Sequence, residues 1–192
     1  MGAAQLVRSL SFEEYLALEE KARRKHELVD GVLYAMAGAS ELHNLIAGNV
    51  FFRLRQQAQG KPCRVFMSDM KLRVDAFTSY YPDVMVVCEP DQADYYKERP
   101  CLVVEVMSRS TEATDRREKL AKYRQIPSLR AYVLVDSLSR RVEAYYREGP
   151  NWLYLDVVGT GSVPIPCPEM HLSLDEVYEG LDVPLERPKD ES

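Results

Sequence analysis

Apolar positions change their spacing several times along the chain, and each change marks an element. Phe12, Tyr15, Leu16 and Leu18 recur at helical spacing behind Ser11 and Glu14, a capping-box pair, so a helix is predicted ahead of the basic stretch Lys21 to Lys25. Glu27 to Tyr34 reads as two short strands around the Asp30-Gly31 turn. A second helix is predicted from about Glu41 to Gln59, with Gly60 and Pro62 as stop signals. Strands follow. Arg64 to Met67 and Met70 to Val74 are short and mixed, whereas Val84 to Cys88 and Cys101 to Met107 are near-continuous apolar runs, the composition of strands covered on both faces. A third helix, from about Asp115 to Gln125, ends before Pro127. Ala131 to Val135, Arg141 to Tyr146 and Trp152 to Val158 complete the strands, and Ser173 with Glu176 opens a short last helix reaching about Glu179. This order predicts an α/β or α+β domain built on a mixed sheet flanked by helices.

Composition narrows the class. The 192 residues are 46% hydrophobic, enough for a real core, and one domain over residues 1–182 is expected, with 183–192 as an acidic tail. No apolar run approaches the roughly 20 residues of a membrane span, and the N-terminus lacks the apolar stretch of a secretory signal. Cys63, Cys88, Cys101 and Cys167 are scattered, without a C-x-x-C pair. That excludes a zinc ribbon, disfavours a disulfide scaffold and leads to the expectation of a reducing, cytoplasmic home.

The chemistry begins with carboxylates in apolar strands. Glu105 interrupts Cys101 to Met107, where an unpartnered carboxylate is costly or becomes protonated. Asp83 opens the neighbouring apolar run. If the two strands pair, both carboxylates converge and offer the hard oxygen ligands that Mg2+ prefers. The alternatives are a turn cap for Asp83 and an arginine partner for Glu105. Asp115, Lys119 and Tyr123 recur at i, i+4, i+8 and share a helix face. Lys119 is placed to orient a water or to offset charge building on phosphorus, while Asp115 reads better as a cap or a surface ion-pair partner. A serine hydrolase built on Ser108 and His43 is disfavoured, because Val106 to Ser110 holds no glycine for a nucleophile elbow.

These segments carry a resemblance. Tyr81-Pro82-Asp83-Val84, Leu102 to Thr111, Asp115 to Tyr123 and Ala131 to Asp136 resemble the Uma-type family of restriction-endonuclease-like proteins, of the PD-(D/E)XK nuclease superfamily. Glu27 to Gly31, Glu41-Leu42-His43 and Leu172 to Tyr178 extend the likeness over most of the chain.

The resemblance implies a restriction-endonuclease-like core and a Mg2+- or Mn2+-dependent endonuclease acting on DNA, working as a homodimer. Carried over residue by residue, Asp83 and Glu105 are metal ligands, joined by the main-chain carbonyl of Val106. Glu27 could complete the metal shell and His43 could approach the phosphate. The superfamily's lysine is expected two residues after the glutamate, where this chain has Met107, and Lys119 is its counterpart on the following helix. Met107 also leaves a second reading open: an inactive nucleic-acid-binding or interaction module that keeps the fold.

Charge fits this reading once located. The net charge of -5 argues against a protein that coats nucleic acid by bulk charge. From Asp175 to Ser192, seven acids stand against two bases, so the rest of the chain is neutral. Arg53, Arg55, Lys61 and Arg64 lie in a stretch without acids.

Overall fold

The computed structural model describes residues 8–90 and 93–187. Its centre is a six-stranded sheet in the order β11-β10-β9-β8-β6-β3. These strands are β3 (Arg64–Met67), β6 (Val84–Val87), β8 (Leu102–Met107), β9 (Ala131–Asp136), β10 (Arg141–Glu148) and β11 (Asn151–Val158). Only β8 and β9 run parallel within it; the other pairs are antiparallel, which makes the sheet mixed as expected. The parallel pair needs a crossover, and the chain supplies it with helical turns at Glu112–Thr114 (α3), Asp115–Lys119 (a π-helical turn) and Leu120–Tyr123 (α4).

All six residues of β8 are buried because both sheet faces are covered. Side chains alternate across a strand. Leu102, Val104 and Val106 therefore join the core that contains Ile46, Val50 and Leu54 of α2 (Glu41–Gln57). Val103 and Met107 join a second core with Tyr123, Ile126 and Tyr132. Glu105 shares the parity of Val103 and Met107, so it projects toward the crossover helices. Burial of this whole strand explains its apolar sequence, which Glu105 alone interrupts.

A smaller sheet, in the order β2-β1-β5-β4-β7, stands beside that face. It contains the hairpin of β1 (His26–Val29) and β2 (Val32–Ala35), then β4 (Lys71–Asp75), β5 (Thr78–Tyr80) and β7 (Tyr96–Lys97). Asp30 and Gly31 both take positive φ, 48° and 81°, which the two-residue turn requires. Helix α1 (Phe12–Glu19) closes this unit by packing Phe12 and Tyr15 on Leu28, and its capping box forms as predicted. A third pairing, β12 (Ser162–Pro166) with β13 (Glu169–Ser173), leads into α5 (Leu174–Val177). Pro164 and Pro166 hid β12 from the strand pattern; a two-stranded ribbon tolerates their missing N–H donors.

Two features differ from expectation. The four cysteines do not stay apart: they pair as Cys63–Cys88 and Cys101–Cys167. The cause is topological, since β3, β6 and β8 are sheet neighbours and their ends coincide. Part of the segment expected as a tail is docked: Val183 is buried, and Arg187 reaches Asp136 at 2.7 Å and Glu112 at 2.6 Å. Residues 188–192 lie outside the described residues. No helix among the described residues is long and apolar enough to cross a membrane.

Candidate active site

Asp83 immediately precedes β6, and Glu105 lies within β8. Because Val84 pairs with Val104, the two acids meet at the same level of the sheet. Asp83 Oδ2 accepts the Val106 main-chain N–H at 2.8 Å, and Glu105 Oε2 accepts the Asp83 N–H at 3.4 Å. The carboxylates are thus oriented by each other's strand, as a two-ligand site requires.

Lys119 enters from the π-helical turn. Its Nζ lies 3.1 Å from Glu105 Oε1, 3.4 Å from Glu27 Oε1 and 3.4 Å from Asp115 Oδ1. It also sits over the Tyr80 ring, 5.4 Å from the centroid. Tyr123, one helical turn on, donates its hydroxyl to the same Glu105 oxygen at 2.8 Å. Tyr80, Tyr123 and Tyr132 contact edge to face, walling this side of the cluster from water.

The electrostatics follow from crowding. Burial, which the Lys119 charge only partly offsets, pushes the Glu105 carboxyl well above its usual range; Asp83, Asp115 and Glu27 add repulsion. Asp115 is raised for the same first reason, against the pull of Lys119. Burial alone would lower the Lys119 ammonium, but Glu105, Glu27, Asp115 and Asp83 outweigh it and hold Lys119 well above the ordinary lysine value. Four acids around one lysine leave an excess of negative charge on hard oxygen donors. That donor set fits a divalent cation such as Mg2+, and the Asp83 and Glu27 side chains, partly buried, keep an edge toward solvent.

Each residue singled out from the sequence has a definite place here. Asp83, Glu105 and Lys119 form the centre. Glu27, on β1, joins through Lys119 and through the Tyr81 main-chain N–H at 3.3 Å. His43, in the first turn of α2, places Nε2 3.1 Å from Asp83 Oδ2. Burial would lower its pKa, but the Asp83 carboxylate and the Val106 main chain raise it overall. Its Nδ1 is buried and unpartnered. Met107, where the superfamily lysine is expected, is fully buried and accepts a contact from Arg116 at 3.5 Å.

Asp115 corrects the sequence reading: it is buried in the cluster instead of sitting at the surface. Its signal was the helical spacing to Lys119 and Tyr123. Tyr123 carried no role from sequence, and its hydrogen bond to Glu105 depends on which core the crossover faces. Tyr80 and Tyr145 are engaged in ring contacts within the fold, whereas Tyr95 is exposed.

Known proteins resemble this chain in sequence and in fold. "Uncharacterized protein slr1290" of Synechocystis sp. is 36% identical over 176 residues, covering 90% of this chain and 93% of the relative. "Uncharacterized protein sll1609" of the same organism is 36% identical over 156 residues, covering 78% and 88%. A crystal structure of a "putative nuclease belonging to DUF820" from Anabaena variabilis superposes with a TM-score of 0.70 at 17% identity, covering 88% of this chain and 97% of that one, which shows a shared fold. The family model described as "Putative restriction endonuclease" matches residues 12–181. With the fold shared and the family model matching residues 12–181, this protein belongs to the Uma2 family of restriction-endonuclease-like proteins.

Proposed function

We propose that this nuclease-family protein is a Mg2+- or Mn2+-dependent endonuclease that hydrolyses phosphodiester bonds in DNA. The observation that carries the reading is the convergence of Asp83, Glu105 and Lys119 at one point, with Glu27, Asp115 and His43 around them. Two carboxylates on adjacent buried strands cost stability unless a cation or a reaction needs them.

Asp83 and Glu105, with the Val106 carbonyl, would hold the cation, and Glu27 would extend the shell. When bound, the ion polarises the phosphate and lowers the pKa of water at the site. Lys119, an ammonium held among carboxylates, acts as a hydrogen-bond donor: it aligns the attacking water and offsets charge on the phosphoryl oxygens. Tyr123 and Asp115 fix Lys119 and Glu105 in their working orientations. His43, with Nε2 3.1 Å from Asp83 Oδ2, would donate to a phosphate oxygen. No covalent intermediate is required. A homodimer would let two copies cut both strands, and a cytoplasmic location would give access to DNA.

The reading of an inactive binding module drew on Met107. Lys119 weakens that support, since its ammonium stands within hydrogen-bond reach of Glu105 although the strand position is apolar.

The test is cleavage of supercoiled plasmid and of single-stranded oligonucleotides with Mg2+, comparing wild type with Asp83→Asn, Glu105→Gln and Lys119→Met. Metal-dependent cutting lost in all three supports the reading. Equal cutting by all four proteins would overturn the site.

A further inference from the structure

The four cysteines lie far from the carboxylate cluster. Asp83 and Cys88 flank opposite ends of β6, five residues apart, which is roughly 16 Å along an extended strand. Each sulfur comes from a different segment. Cys63 precedes β3, Cys88 follows β6, Cys101 precedes β8 and Cys167 lies in the β12–β13 turn. Strand register brings the first three together: Arg64 pairs with Val87, and the Cys101 N–H donates to the Val86 carbonyl at 2.8 Å. The ribbon then lays Cys167 against Cys101.

The sulfurs form one group instead of two separate bridges. Cys88 Sγ is 3.5 Å from Cys101 Sγ, although these two belong to different disulfides. The Sγ atoms of Cys88, Cys101 and Cys167 all lie within 4.8 Å of one another, and Cys63 is bonded to Cys88. Four thiolates around zinc at about 2.3 Å stand about 3.8 Å apart, which is the scale of this group. Behind the sulfurs is apolar core, with Cys101 and Cys167 buried in it. In front is a cleft of about 440 Å3 lined by all four cysteines and by Lys61, Arg99, Arg130, Glu89 and Glu169. Three cations against two acids oppose the double negative charge that a tetrathiolate site carries with a divalent ion.

We propose that in the reduced chain Cys63, Cys88, Cys101 and Cys167 bind one zinc ion, or another soft divalent cation, in a closed tetrathiolate site. Four protein ligands leave no open position, so the site is structural: it pins the β12–β13 ribbon to the ends of β3, β6 and β8. The disulfides are the oxidised form of the same four sulfurs. With a phosphine as reductant, each disulfide takes up two electrons, phosphine and water become phosphine oxide, and two thiols form. Metal binding then releases four protons and involves no further electron transfer.

The experiment uses the full chain, reduced with a phosphine, freed of reductant without oxygen and titrated with Co2+. The expected result is one equivalent of thiolate-bound cobalt per chain, read from thiolate-to-cobalt charge transfer in the near ultraviolet and the strong visible bands of tetrahedral cobalt. Zn2+ should bleach both, and the oxidised chain should show neither. Asp83→Asn should keep the full signal, which separates this site from the carboxylates; Cys101→Ser and Cys167→Ser should lose its tetrathiolate intensity. A reduced wild-type chain with four titratable thiols and no charge-transfer band would overturn the proposal. So would a band of undiminished intensity in the serine variants. The comparison of reduced with oxidised wild type stands even if a variant fails to fold.

Discussion

Lys119 Nζ lies 3.1 Å from Glu105 Oε1, although fourteen residues and a change of secondary structure separate them. The strand position that shares Glu105's face two residues on is taken by Met107, which is packed in the core. The ammonium beside the glutamate is instead delivered from the crossover helix. The π-helical turn at Asp115–Lys119 still keeps Asp115 within 3.4 Å of that ammonium, so acid, lysine and glutamate are held as one unit.

If position of the charge, and not the element carrying it, is what catalysis needs, the lysine should be movable. Lys119→Met is expected to lower Mg2+-dependent cleavage by about a hundredfold or more, the scale of losing one preorganised donor. Adding Met107→Lys in that background should recover at least about tenfold. Single-turnover cleavage rates of the single and double variants provide the check; no recovery would mean that Lys119 acts through its own surroundings.

Metal should stabilise the fold through the same carboxylates. At a Mg2+ concentration about a hundred times the dissociation constant, the gain is about 2.7 kcal/mol, read as a rise in the thermal midpoint that EDTA reverses. Asp83→Asn with Glu105→Gln should abolish the rise. Lys119 keeps Glu27 and Asp115 in that variant, so it should still fold.

Tyr123→Phe removes the hydroxyl that donates to Glu105. The expected cost in stability is about 1–3 kcal/mol, the scale of one hydrogen bond to a charged group, since the same Glu105 oxygen keeps Lys119. Its weakening of Mg2+ affinity should be about tenfold or more, because the ligand loses its orientation. Denaturant unfolding and metal titration measure the two effects separately. A loss of stability with unchanged affinity would make Tyr123 a packing residue only.

Tyr178 tests stability apart from chemistry. Its hydroxyl is buried among the Asp136, Ser139 and Arg141 carbonyls at 2.7, 3.1 and 2.9 Å, and it accepts the Arg141 N–H at 3.2 Å. Tyr178→Phe should cost about 1–3 kcal/mol in urea unfolding. Cleavage by the folded fraction should match wild type, since this residue holds the ends of β9 and β10 and no group of the carboxylate cluster.

The capping box of α5 predicts a dependence on acid. The Ser173 N–H holds the Glu176 carboxyl below its ordinary range, more strongly than partial burial raises it. A depressed folded-state pKa contributes stability above the unfolded value and loses it as the pH falls through the folded one. The gap in thermal midpoint between wild type and Glu176→Ala should therefore be full near neutrality and close in acid below the carboxylate range. A gap that persists there would assign the effect to helix propensity.

What was legible from sequence is what short-range physics writes there. The two capping boxes, the Asp30-Gly31 turn and the doubly covered strands β6 and β8 follow from local hydrogen bonding and burial, and they formed as read. Asp83 and Glu105 stood out because a carboxylate in an apolar strand conflicts with its surroundings. By contrast, β12, the burial of Asp115 and the hydrogen bond from Tyr123 to Glu105 depend on which surfaces meet, and that is a property of packing. The cysteines mark the boundary most plainly. Spacing in the chain set them apart, but strand order in the sheet brought all four sulfurs to one corner. The sequence by itself determined the elements and the unusual residues, because those arise within a few residues of one another. Only the tertiary structure decided which of those residues share a site, because strand neighbours are set by the burial of whole faces and not by distance along the chain.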